Sequence, residues 1–215
     1  MNRRPSDEIL MAYVSGKLAQ GPALVVAAHL SLCPESAERV HQFEAAGGVM
    51  LEQAPVVELA PDALEKVLAR LDASSPTQVL PPVRHLADMP DGLVLPSPLQ
   101  QYDIGKWKFL APGVQWSSIG KGGARRNRPM LLRSKPGMVL PEHTHNGVEY
   151  TLVLKGSLHD AQGDYFPGDL IVADASLEHE PAAGPEEECI CLAAVDGRLQ
   201  LKSLLGRLVQ PLLGF

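Results

Sequence analysis

Two histidines one residue apart, His143 and His145, stand with Glu149 inside GMVLPEHTHNGVEYTLVLKG, a stretch bounded by Gly137 and Gly156. No other feature constrains the fold as much. The surrounding apolar residues alternate, which is the period of an extended strand, and side chains two apart on a strand share a face. His143 and His145 are therefore expected to project toward one point, and Glu149, an even number of steps further on, can join them. His179 is the fourth candidate, ten residues beyond the turn 167-PGD-169, where a second strand pair would bring it back across the sheet. Three imidazoles and one carboxylate suit zinc, iron, manganese, nickel or copper without selecting among them.

The sequence around this cluster supports a β architecture. After about residue 99, short runs rich in branched and aromatic residues alternate with turn residues: KWKFL, VQWSSI, MLLRS, EYTLVLKG, DLIVAD and ECICLAAV. They predict an antiparallel β-barrel or double sheet. Turn signals at Ala161 to Gly163 and at Pro167 to Gly168 predict a hairpin folding back on the strand of Glu149.

The first third of the chain has a different period. Ser6 is placed to cap a helix with Asp7 and Glu8 in its first turn and Ile9, Leu10, Tyr13 and Val14 at helical spacing. Pro22 and Pro34 suit the first turns of two more helices, and a fourth begins at Pro61. In the fourth, Leu64, Val67, Leu68 and Leu71 recur at steps of three and four, so one stripe is meant to be covered. The segment 73–98 has six prolines and no helical period, as expected of a linker, although its valines and leucines suggest that it lies against a surface. The expected organisation is α+β: an all-α unit over 1–72, a linker over 73–98, an antiparallel barrel over 99–200 and an apolar tail over 201–215. Gly206 and Pro211 interrupt that tail, so it is expected to pack on the barrel or at a homodimer contact.

Bulk properties narrow the functions. A net charge of −6 and a pI near 5.6 argue against direct DNA binding, which calls for a basic face. No apolar run approaches the roughly 18 residues of a membrane span, and the amino terminus lacks the apolar core of a signal peptide, so a cytoplasmic location with no membrane contact is expected. Three cysteines, Cys33, Cys189 and Cys191, do not make a disulfide framework.

The motif of glycine, five residues, His-x-His, three residues, glutamate, six residues and glycine closely resembles the first motif of the cupin family, and Pro167, Gly168, Asp169 and His179 resemble its second. That resemblance implies a double-stranded β-helix whose metal ligands are His143, His145, Glu149 and His179. One divalent metal is expected there, zinc first, with iron, manganese or nickel as alternatives.

The line 6-SDEILMAYVSGKLAQGPALVVAAHLSLCPESAERV-40, followed by a cupin ending in CICLAAVDG, is similar to the ChrR-type anti-sigma factors across almost the whole chain. The resemblance implies a helical domain that binds and blocks a sigma factor of the extracytoplasmic-function class. It also implies a cupin that senses oxidative stress, singlet oxygen or organic hydroperoxide, and frees the sigma factor. A metal-dependent cupin enzyme, a dioxygenase or isomerase acting on a small molecule, is the rival class, and a ligand-binding module without a partner is a third.

The helical unit departs from the family pattern. Its zinc usually rests on an early histidine and a His-x-x-x-Cys-x-x-Cys motif, of which this chain keeps His29 and Cys33. The early position falls at Arg3 or Arg4, and the last cysteine is Ser36. Two of the four ligands that a structural zinc site needs are thus missing, and zinc is not expected there. Asp7, Glu35 and His41 are the candidate replacements, but His41 lies two helical turns beyond Cys33, roughly 12 Å along a straight helix. Cys189 and Cys191 share a strand face; they are either a redox pair or small apolar core residues, and burial is the preferred reading. The basic run 121–129 is read as a solvated loop, and His85 and His159 as surface residues.

Overall fold

The structure, a computed structural model, describes residues 3–73, 89–120, 128–140, 143–145, 147–174, 181–197 and 199–201. Four helices come first: α1 (Asp7–Val14), α2 (Gln20–Leu30), α3 (Pro34–Glu52) and α4 (Ala63–Ala73). Ser6 takes the N-cap position of α1, but it makes no side-chain cap bond there. Pro34 opens α3, where its missing N–H costs nothing.

A 3-10 turn (Ser97–Gln101) leads into eleven strands: β1 (Lys108–Ala111), β2 (Val114–Ser118), β3 (Met130–Ser134), β4 (His143–His145), β5 (Val148–Lys155), β6 (Leu158–Asp160), β7 (Gly163–Tyr165), β8 (Leu170–Ala173), β9 (Ala182–Ala183), β10 (Cys189–Asp196) and β11 (Leu199–Leu201). The large sheet has the order β1-β2-β3-β10-β5-β8, beside a three-stranded sheet β7-β6-β9 and a pair β11-β4. All pairings are antiparallel. The hairpin expected from the turn signals forms: β6 pairs with β7, and β8 returns onto β5 with Ala173 opposite Glu149.

The large sheet is covered on both faces. On β5 and β10 one set of alternate residues, Tyr150, Leu152, Leu192 and Ala194, shares a core with the helices, while the other set, Val153, Cys189 and Cys191, joins the core of the β unit. Helix α2 explains this arrangement. It buries Leu24, Val25, Val26, Ala28 and His29, apolar on nearly every side, as a helix must be when packed between other helices and a sheet. One cluster runs from Leu10 and Val40 through α2 to Leu99, Leu131, Leu152 and Leu192. The two units expected from sequence therefore share a core. Met89 and Leu95 of the expected linker pack against it, whereas Val94 is exposed; residues 74–88 of that linker and 202–215 of the tail lie outside the described residues.

The chain start is fastened to the same sheet. The Arg3 N–H donates to Asp169 Oδ1 at 2.9 Å, the Leu170 N–H donates to the Arg3 carbonyl at 3.0 Å, and the Arg3 guanidinium lies 4.5 Å from the Tyr165 ring centroid. Tyr165 is fully buried, and its hydroxyl donates to Asp160 at 2.9 Å. Burial, then the Asp160 carboxylate, pushes the Tyr165 hydroxyl from 10.0 up to about 12. A group whose folded pKa is raised stabilises fully below its unfolded pKa and loses that contribution as pH rises through the folded one. Stability is thus expected to fall between pH 10.0 and about 12, and Tyr165→Phe is expected to flatten that part of the pH profile of the urea midpoint.

Candidate functional site

Strand β4 carries His143 and His145 and pairs with β11, with His143 opposite Leu201 and His145 opposite Leu199. Glu149 stands near the start of β5, 7% exposed, and its Oε1 accepts a hydrogen bond from Thr151 Oγ1 at 3.0 Å. A carboxylate this buried is stable when hydrogen-bonded or set beside positive charge, which fits a ligand position. His179 lies outside the described residues, as do His85 and residues 121–127 of the basic run. Among the described residues no three His, Cys, Asp or Glu side chains gather as a ligand set.

Cys189 and Cys191 face the same side of β10, 2% and 3% exposed, with their sulfurs 3.6 Å apart. The hydrogen bond with Cys189, burial and the nearby Glu149 charge hold the Cys191 thiol well above its usual range. A thiol kept protonated is a poor nucleophile, so the pair packs as small apolar residues, in line with the preferred sequence reading.

In the helical unit His29 is completely buried. Its Nδ1 lies 2.9 Å from the Gly168 carbonyl oxygen and its Nε2 lies 2.9 Å from Ser36 Oγ. Ser36 Oγ is 3.4 Å from Cys33 Sγ, which in turn is 3.5 Å from Glu35 Oε2. Arg4 pairs with Glu35 at 3.3 Å. Of the other replacements considered for zinc, Asp7 is paired with Arg39 and His41 with Glu44. The donor set does not fit zinc: Ser36 stands where the last cysteine would be, its hydroxyl faces the imidazole nitrogen a metal would use, and a guanidinium stands nearby.

Two features escaped the sequence reading. The contact from His29 to Gly168 spans 139 residues, and no local pattern signals it. His159 is more than a surface residue: its Nε2 lies 2.9 Å from Ser157 Oγ and its Nδ1 lies 2.6 Å from Asp164 Oδ1. The spacing of Ser157 and His159 on one strand face could have suggested the first contact. Gly184 makes room for it, since a Cβ there would lie 2.0 Å from Ser157 Oγ. The chain joins β6 to β7 and packs against the backbone beside β9.

The surface of the helical unit has an apolar region of its own. Leu64, Val67 and Leu68 on α4 are 70%, 54% and 51% exposed, and Met50 and Leu51 at the end of α3 are 74% and 77% exposed. The stripe that the periodicity of α4 marks for cover is left open among the described residues. No helix among the described residues is long and apolar enough to cross a membrane.

Comparison with known proteins accounts for the order of the two units. Residues 99–197 match the ChrR Cupin-like domain family. Over 212 residues the chain is 38% identical to the anti-sigma-E factor ChrR of Cereibacter sphaeroides, which covers 96% of this chain and 95% of that protein. The fold superposes with a TM-score of 0.71, at 34% identity, on the crystal structure of Rhodobacter sphaeroides SigE in complex with the anti-sigma ChrR, over 90% of this chain and 98% of the matched one. With four helices ahead of a cupin-like antiparallel sheet and this identity along nearly its whole length, the chain belongs to the ChrR anti-sigma factor family.

Proposed function

We propose that this chain is an anti-sigma factor that binds and inhibits a sigma factor of the extracytoplasmic-function class. The open apolar stripe of α4 carries the reading. An amphipathic helix whose Leu64, Val67 and Leu68 stand in water is stabilised by a partner that covers them. The relationship to an anti-sigma factor across 96% of the chain weighs against the dioxygenase or isomerase reading. Co-purification of the full chain with a sigma factor of that class from its own cells tests the proposal; turnover of a small substrate with no sigma capture would replace it with the enzyme reading.

The barrel is then the sensor of oxidative stress, through one divalent metal, zinc first, held by His143, His145, Glu149 and His179. The ligand types and their spacing support this, together with the buried position of Glu149. Elemental analysis of the full chain is expected to give about one metal per chain, and Glu149→Ala about tenfold less. The same variant is expected to hold the sigma factor at rest and to release it poorly under singlet oxygen or organic hydroperoxide. Should Glu149→Ala respond normally while the double change Cys189→Ser, Cys191→Ser does not, the thiols are the sensor and the metal is not.

A further inference from the structure

We propose that His29 and Ser36, beside Cys33, form a metal-free hydrogen-bonded clasp that fastens the helical unit to the barrel at Gly168, in the place where the family resemblance implies zinc. The hydrogen positions follow from the partners. A carbonyl oxygen only accepts, so the His29 nitrogen 2.9 Å from Gly168 O carries a proton. Burial lowers the pKa of His29, which keeps the ring neutral and leaves a lone pair on Nε2. The Ser36 hydroxyl, 2.9 Å away, fills that lone pair with its single proton. Cys33 directs its S–H to Glu35, 3.5 Å away. His29 thus uses both ring nitrogens, and Ser36 its proton, with no cation.

Two further observations oppose a metal. Zinc would need the Nε2 lone pair and a Cys33 thiolate, and Ser36 lies within hydrogen-bonding distance of both atoms. Arg4 contributes a permanent positive charge that disfavours a protonated His29, and it would disfavour a dication at the same spot.

The receiving end of the clasp belongs to the turn between β7 and β8. Gly168 has φ 96, a left-handed conformation that glycine adopts without strain, and the turn presents its carbonyl to His29. The neighbouring Asp169 carboxylate accepts the Arg3 N–H, so two separate parts of the helical unit hold one turn. β8 continues from that turn to lie beside Glu149. The clasp therefore ties the helices to the strand next to a barrel ligand position, and a chelator acts on this protein only through the barrel.

Two measurements on the full chain test this independently of any partner. Cobalt(II) is titrated into the wild type and into Cys33→Ser while thiolate-to-cobalt absorption is recorded; the two proteins are expected to give the same spectrum. A band that Cys33→Ser removes would place a metal on the helical unit and overturn the proposal. Hydrogen exchange then reads the clasp itself. His29→Ala is expected to speed exchange of residues 166–172 about tenfold, and Ser36→Ala by a smaller factor in the same segment. His29→Asn keeps a side-chain N–H near Gly168 and is expected to restore most of the protection. Unchanged exchange over 166–172 in Ser36→Ala and in His29→Ala would also overturn the clasp; if His29→Ala fails to fold, Ser36→Ala and His29→Asn carry the test.

Discussion

Changing Leu64 and Leu68 together to glutamate is expected to weaken sigma factor binding at least about 100-fold while leaving the melting temperature of the free protein within error. Both side chains project into water from α4, at 70% and 51% exposure, so neither supports the fold. Substitutions at such positions typically change stability by less than about 0.5 kcal/mol, and glutamate keeps the helix propensity of leucine. In the proposed complex the same side chains enter an apolar contact. Burying a leucine contributes about 1.5–3 kcal/mol, and anchor residues of interfaces commonly cost about 2 kcal/mol or more when truncated. Two anchors thus give about 3–4 kcal/mol, a factor of about 100 to 1,000 in affinity. Calorimetric titration of the purified sigma factor, with circular dichroism as a check on helicity, measures this. Unchanged affinity would place the partner elsewhere, and the exposed stripe would need another explanation.

Val25→Asp is expected to unfold both units at once. Val25 is fully buried in the cluster that α2 shares with the sheet. An unpaired carboxylate there carries a desolvation penalty of several kcal/mol, to be set against a total stability of about 5–15 kcal/mol. Both tryptophans, Trp107 and Trp116, lie in the β unit, so their fluorescence reports on the barrel while far-ultraviolet dichroism reports largely on the helices. In the wild type the two signals are expected to melt together, and in Val25→Asp both are expected to be lost. Native tryptophan emission beside a missing helical signal would show that the barrel folds without α2. For the same reason a fragment of residues 1–72 is expected to capture the sigma factor yet to be poorly soluble. It keeps α4 but leaves the sheet-facing side of α2 in water.

The elements were legible because their periods differ. Alternation around Glu149 and the turn at Pro167 and Gly168 gave the β5 and β8 pairing, and helical spacing gave α1 and α4. The meeting of the two units was legible only in part. The run ALVVAAHL in α2 has no polar side, and CICLAAV in β10 has no alternation, which is what sequences look like when both faces are covered. Neither run says what covers it. The clasp was not legible, since the acceptor at Gly168 is a backbone carbonyl, which no residue type advertises. Of the proposed barrel ligands, Glu149 is buried and bonded to Thr151, while His179 lies outside the described residues.

The double cover of β5 and β10 bears on how such a protein can change by recombination. A barrel transplanted without α2 would carry Leu152, Leu192 and Ala194 into solvent, and all three are completely buried here. The heritable piece is therefore the barrel with α2 attached, and a productive crossover cannot fall at the proline-rich segment that separates the two units in sequence. Helix α4 is under no such restriction. On the proposed function its Leu64 and Leu68 face the partner, so they can drift in step with a changing sigma factor while the rest of the molecule stays fixed.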